Sequence, residues 1–287
     1  SYVIKLLKKK IKQNLININK LNPWEYMSEK INEMFNPYEY SDEILLKELD
    51  NIKIKDIKNN IEDFFNLPIR TFTLGNAVEE ELSSFTKLNT ELKIPKLFKF
   101  NKLKSFKMKH PNNKEINNCI QIVYPIFNYS ELNALLIFSL QLIANQPFFN
   151  RLRTQEQLGY LVRFGKIKIR DTYYISQKIQ SEKPLKYIKE KIDKFNEEFY
   201  DSLLKMDSNT WTNWKKTIRK ELKKRDESTK QTFNKYLNEI LIGEYNFKRN
   251  DLILEKLNEL KLTDLQKLYK NKIYKIKKEI ILQIEGN

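Results

Sequence analysis

The chain has 287 residues, 40% of them hydrophobic and 31% charged, which suits one large domain or two ordinary ones with a real core and is too apolar for disorder. Its 53 Lys and Arg outnumber 37 Asp and Glu, for a formal charge of +16, yet no zinc finger or basic region leading into heptads accompanies that charge, so no specific nucleic-acid partner is expected. A single cysteine, Cys119, excludes an internal disulfide and fits a reducing, intracellular setting, cytoplasmic by default, with organellar targeting left open.

Residues 1–66 read as helices. Ile4, Leu7, Ile11 and Leu15 recur at helical spacing. Asn22 followed by Pro23 opens the helix PWEYMSEKINEMF, and Ser41 caps DEILLKEL, whose first turn is acidic. IKDIKNNIEDFF is a further helix stopped near Pro68, and IRTFTL alternates as a strand. Residues 77–96 are polar and weakly periodic, a linker. Strands follow in KLFKFN, KSFKMKH and NCIQIVYPIF, the last apolar enough to be central. Residues 129–145 form an apolar helix whose length suits a buried position better than a membrane span. Asn145 and Pro147 are expected to open a separate short helix, with Gly159 as its left-handed C-terminal cap. GYLVRFGKIKIRD and TYYISQKIQS make an antiparallel pair. Residues 184–274 are helical, and EIILQIEGN closes the chain as a strand.

DEILLKELDNIKIKDI (Asp42–Ile57) aligns with NDLILEKLNELKLTDL (Asn250–Leu265) at a shift of 257 − 49 = 208, and every Ile or Leu of the first meets an Ile or Leu of the second. RTFTLGN and ILQIEGN end both copies in Gly-Asn. The second copy carries a long section ahead of its matching part and the first carries none, so a longer protein with a truncated first unit is expected. The fold class is α+β: two similar two-layer units, each a mainly antiparallel sheet with helices on one face, the first truncated at its N-terminal side.

Candidate chemistry is sparse. The one histidine, His110, precedes Pro111 and reads as a surface loop residue, so no His pair for a metal exists. Cys119 has no adjacent base to activate it and reads as sheet packing. Trp211 and Trp214 are three apart on one helix and read as packing residues. The polar run in FFNRLRTQEQLGYLV (Phe148–Val162) stands out, with Arg153 in a helix and Tyr160 just past its end. Taken alone, Arg153 could pair with Glu156, Tyr160 could be a half-buried strand residue and Phe149 a core residue.

FFNRLRTQEQLGYLV, followed by IQSEKP (Ile179–Pro184) and preceded by NNC (Asn117–Cys119), closely resembles the insulysin and pitrilysin family of inverzincin zinc metallopeptidases. The resemblance implies that residues 1–76 are the rear of the third of four similar domains, 77–96 a linker and 97–287 the fourth domain. It implies that zinc and its H-x-x-E-H motif belong to an N-terminal half outside this chain, carried on the same chain or on a separate subunit. The two halves would enclose a chamber in which peptides are hydrolysed. Arg153 and Tyr160 would then be catalytic, reaching across to stabilise the developing oxyanion, and Phe149 would contact substrate beside them. The chain alone should be inert. Partners would be peptide substrates and the N-terminal half, with homo-oligomers open and no membrane. The alternative reading is a non-catalytic half, degenerate or a separate subunit, that binds peptides beside a zinc-bearing partner.

Overall fold

The computed structural model describes residues 2–36, 39–67, 71–76, 104–126, 130–169, 172–241, 243–275 and 279–287, without the side chains of 62, 168 and 169. In chain order the elements are α1 (Tyr2–Ile16), α2 (Pro23–Phe35), α3 (Asp42–Asn51), α4 (Ile54–Phe65), β1 (Lys104–Lys109), β2 (Asn118–Ile126), α5 (Glu131–Phe149), β3 (Leu161–Ile169), β4 (Thr172–Ser181), α6 (Leu185–Leu204), α7 (Ser208–Leu222), α8 (Thr229–Leu241), α9 (Arg249–Glu255), α10 (Leu262–Tyr269) and β5 (Ile280–Glu285). Local caps act as the sequence predicts. The Asn22 side chain accepts from Glu25 N–H (3.0 Å), and Ser41 accepts from Ile44 N–H (3.4 Å).

Two compact units emerge, and they interleave along the sequence. One is drawn from residues 1–18, 36–97 and 225–247, the other from 19–35, 98–224 and 248–287. The boundaries therefore differ from a contiguous division at 1–76 and 97–287. The reason is burial: Met27, Ile31 and Phe35 of α2 cluster with Cys119, Val123, Tyr174, Ile280, Leu282 and Ile284 of the second unit. The expected linker, 77–96, and the expected strand KLFKFN lie outside the described residues. So does part of IRTFTL, and its described residues Thr71–Leu74 take no strand.

The second unit is built on a sheet ordered β1-β5-β2-β4-β3. The β5–β2, β2–β4 and β4–β3 ladders are antiparallel, and β1 joins β5 in parallel. Helix α5 is apolar nearly all round and long enough to cross a membrane by composition, yet nine of its residues, including Leu135, Ile137 and Leu140, are buried in the core. There it packs with Ile120, Ile122, Val162, Phe164, Ile175 and Ile179 of the sheet and with α6, α7, α9 and α10. Trp211 and Trp214 pack against the same core. Helix α2 covers the opposite face through the Met27 cluster. Beneath the helices lies a closed polar network. Tyr124 OH donates to Gln177 Oε1 (2.9 Å), Gln177 Nε2 to Asn196 Oδ1 (2.6 Å), and Tyr269 OH to Asn196 Oδ1 (2.9 Å). Each buried group is thereby partnered, as a low-dielectric interior requires.

In the first unit the described elements are helices, with α1 against α3, and Phe72 meets Phe233 at 5.0 Å between ring centroids. The internal repeat is visible in hydrogen bonds. Lys53 N–H donates to Asp56 Oδ2 (2.7 Å), and Lys261 N–H, 208 positions on, donates to Asp264 Oδ2 (3.2 Å). Burial, however, is not shared. Leu260, Leu265, Tyr269 and Ile273 are at most 3% exposed, while their counterparts Ile52, Ile57, Ile61 and Phe65 are 41%, 43%, 49% and 73% exposed.

Candidate functional site

The site begins where α5 ends. Pro147 sits inside the helix, contrary to the expectation that Asn145 and Pro147 open a new one. Proline has no N–H and crowds the carbonyl four residues back, so the ladder must adjust. Three residues on, the helix widens into a π-helical turn, Asn150–Gln155, in which Glu156 N–H reaches back five residues to Arg151 O (3.1 Å). Such turns often mark functional positions. The chain then reverses at Gln157, whose φ is +50°, and Leu158 N–H closes on Leu152 O (3.0 Å).

The left-handed residue is thus Gln157, and Gly159 is needed for a different reason. A Cβ on Gly159 would lie 2.1 Å from the Gln180 carbonyl oxygen of β4. Only glycine lets the segment approach that backbone, and this approach sets where Tyr160 emerges at the head of β3.

The three predicted residues come together. Arg153 Cζ lies 4.8 Å from the centroid of the Phe149 ring and 4.9 Å from that of Tyr160. Phe149 and Arg153 are four residues apart on one helical face, and the reversal at Gln157 returns Tyr160 to the same place. Tyr160 is 80% exposed, so it is not a half-buried strand residue. Phe149 is half-buried, not core. A guanidinium held between rings keeps its planar fork of N–H donors for other acceptors, and the rings add cation–π attraction. Arg153 makes no ion pair among the described residues.

The anticipated pairing of Arg153 with Glu156 is replaced by one with Arg151. Arg151 Nη1 meets Glu156 Oε1 at 2.5 Å and Arg151 Nε meets Glu198 Oε2 at 2.8 Å, while Lys191 Nζ lies 2.6 Å from Glu156 Oε2. The Lys191 hydrogen bond, and then Arg151, hold the Glu156 carboxyl below its usual range, and Arg151 does the same for Glu198. This network ties the π turn to α6 and does not include Arg153. Sequence spacing did not disclose it, because residues five apart face each other only on a π turn.

His110 is 2% exposed, so it is not a surface residue; Asn287 Nδ2 donates to its backbone carbonyl (3.1 Å) and to Asn112 O (2.9 Å). The His110 ring meets Tyr26 edge-on, and its Nδ1 accepts from Asn112 N–H. Among the described residues no three His, Cys, Asp or Glu side chains gather at a metal-binding spacing. Cys119 is buried in the sheet, and burial pushes its thiol up to about 12.

The segment carrying this site falls within a match, over residues 139–237, to a family model described as PQQ synthase PqqF-like, C-terminal lobe domain 4. The A-factor-processing enzyme of Saccharomyces cerevisiae is 27% identical over 258 residues, 84% of this chain and 25% of that enzyme. Insulin-degrading enzyme of Bos taurus is 30% identical over 161 residues, 55% of this chain and 16% of that enzyme. The crystal structure of pitrilysin superposes with a TM-score of 0.81 at 15% identity, over 98% of this chain and 31% of that one. These matches support a likeness to the insulysin/pitrilysin-type metallopeptidases. The chain spans about a quarter of the length of the A-factor-processing enzyme. The family-model match includes Phe149, Arg153 and Tyr160 together with the Arg151–Glu156 pair that frames them.

Proposed function

We propose that this chain is the C-terminal, substrate-binding half of an insulysin-like zinc metalloendopeptidase that degrades peptides in an enclosed chamber. The zinc is held by the N-terminal half, and this chain alone is inert. The observation that carries the reading is the placement of Arg153 against Phe149 and Tyr160, with no ion pair among the described residues and with Tyr160 exposed.

The chemistry follows from charge. Cleaving a peptide bond moves negative charge onto the carbonyl oxygen. Donors fixed beforehand at that oxygen stabilise the transition state more than the ground state. Arg153 is a permanent cation with directional donors, and Tyr160 adds a neutral hydroxyl donor. Phe149 packs the guanidinium from one side and offers an apolar wall to a substrate side chain. Gly159 and the Arg151–Glu156–Lys191 network hold the three in place and do not touch substrate.

Fluorescence anisotropy of a labelled neutral decapeptide with this chain tests the binding half of the reading. Arg153→Ala is expected to weaken binding about tenfold, the loss of charge-assisted hydrogen bonds to backbone carbonyls. Equal affinity for both proteins would refute it.

A further inference from the structure

A second feature of the same unit lies on the opposite face of the sheet from α5. Three neighbouring strands put Arg163, Lys178 and Gln121 in one row, with Arg163 directly opposite Lys178 and Lys178 directly opposite Gln121. The row forms part of the wall of a cavity of about 270 Å³ that is closed on its other side by Trp24 and Ser28 of α2. No Asp or Glu lines it among the described residues.

Two like charges directly opposite on adjacent strands repel, and the cost rises when one is buried. Lys178 is only 6% exposed. Its ammonium donates to Trp24 O (2.7 Å) and Ser28 Oγ (2.8 Å) and lies 4.3 Å from the Trp24 ring centroid. These partners are neutral and use two of its three donors. Burial, and then Arg163 as a neighbouring cation, pull Lys178 down to about 8. Arg163 is exposed and has no ion pair among the described residues. Gln121 is 3% exposed; its Nε2 donates to Ser176 Oγ (2.8 Å) while its Oε1 has no partner. Turning that amide over would let Ser176 donate to Oε1 and free Nε2 as one more donor. Lys166, also on the wall, is engaged elsewhere, its ammonium 4.6 Å from the Phe138 ring centroid.

The row thus gathers two cations with no carboxylate beside them among the described residues. We infer that it is a carboxylate subsite, in which Arg163 and Lys178, with Gln121 beside them, take the acidic side chain of a bound peptide. This rests on the peptide-binding reading above. Arg163 follows Tyr160 by three residues, about 10 Å of strand, and β3 is the edge of the sheet, so a peptide lying across Arg153 and Tyr160 would reach the row by passing round that edge. The subsite would give the chamber a preference for acidic peptides that size alone does not.

The test scans a single Glu in place of Gln through a neutral, labelled, C-terminally amidated decapeptide, and reads affinity for the full chain by anisotropy. One register is expected to bind about tenfold more tightly with Glu than with Gln. Arg163→Gln should erase that difference while leaving the Gln peptide unchanged, and Arg163→Glu should favour Lys there instead. A free C-terminal carboxylate on the Gln peptide tells a terminal from a side-chain source: tighter binding only with that free end overturns the side-chain assignment. Equal binding of Glu and Gln peptides in every register, or an equal loss for both in Arg163→Gln, overturns the inference. Should no decapeptide bind, the peptide-binding reading fails at that step, and a smaller probe decides the subsite. N-acetylglutamate methylamide should then quench Trp24 emission saturably, with no effect in Trp24→Phe or Arg163→Gln and none from its glutamine counterpart. Absence of that quenching overturns the subsite by itself.

Discussion

The Gly159 Cα stands so close to the Gln180 carbonyl that a methyl group on it would lie 2.1 Å from the oxygen. Gln180 is fixed from both sides, its backbone in the β4 ladder and its side-chain Oε1 accepting from Trp24 N–H (2.8 Å). Neither neighbour yields easily. Gly159→Ala is therefore expected to destabilise the chain by about 1–3 kcal/mol, the usual cost of overpacking, and to displace Tyr160. Urea unfolding measures the first effect. Loss of peptide affinity in protein still folded under native conditions measures the second.

Glu156 bridges Arg151 and Lys191 beside the site. The Lys191 hydrogen bond and Arg151 depress its folded-state carboxyl, so the sign is that of a stabilising carboxylate. Its contribution is complete above the ordinary carboxylate range and disappears as pH falls through the depressed folded value. Wild type and Glu156→Gln should differ in melting temperature at pH 7, and the two should converge as pH falls below about 4. A difference that persists unchanged at pH 2.5 would assign the effect to packing.

The repeat makes a comparative prediction. Ile61 and Tyr269 stand 208 positions apart at matching places, yet one is 49% exposed and the other fully buried. Tyr269→Ala should cost about 3–5 kcal/mol, since it opens a cavity and strips Asn196 of a donor. Ile61→Ala should change stability by no more than about 0.5 kcal/mol in this chain. Denaturant unfolding of the two variants checks both values. Near-equal costs would mean that Ile61 is covered as Tyr269 is.

What the sequence disclosed was mostly local. Asn22, Pro23 and Ser41 announce helix starts by side-chain chemistry that needs no tertiary partner, and both caps form. The apolar run of β2 and the alternation through β3 and β4 announce a sheet. Phe149, Arg153 and Tyr160 were legible through a family motif, and the helical spacing of the first two already put them on one face. The features that escaped depend on contacts distant in sequence. Gly159 answers to Gln180 in another strand and not to a cap. His110 is buried, with its ring edge-on to Tyr26, more than 80 residues earlier in the chain. Helix α2 finds its core in a sheet that begins after residue 100, which no periodicity within α2 can reveal. The π turn at Asn150–Gln155 carries no signature in residue spacing, and that turn brings Arg151 to Glu156.

The central claim is that Arg153 and Tyr160 stabilise charge in a peptidase transition state. The direct measurement is steady-state peptide hydrolysis by the full-length protein that carries this chain, beside its Arg153→Ala and Tyr160→Phe variants. Arg153→Ala is expected to lower kcat/KM about 100–1000-fold, chiefly in kcat, and Tyr160→Phe to lower it less but in the same way. Unchanged kcat in both folded variants, or a change confined to KM, would contradict it.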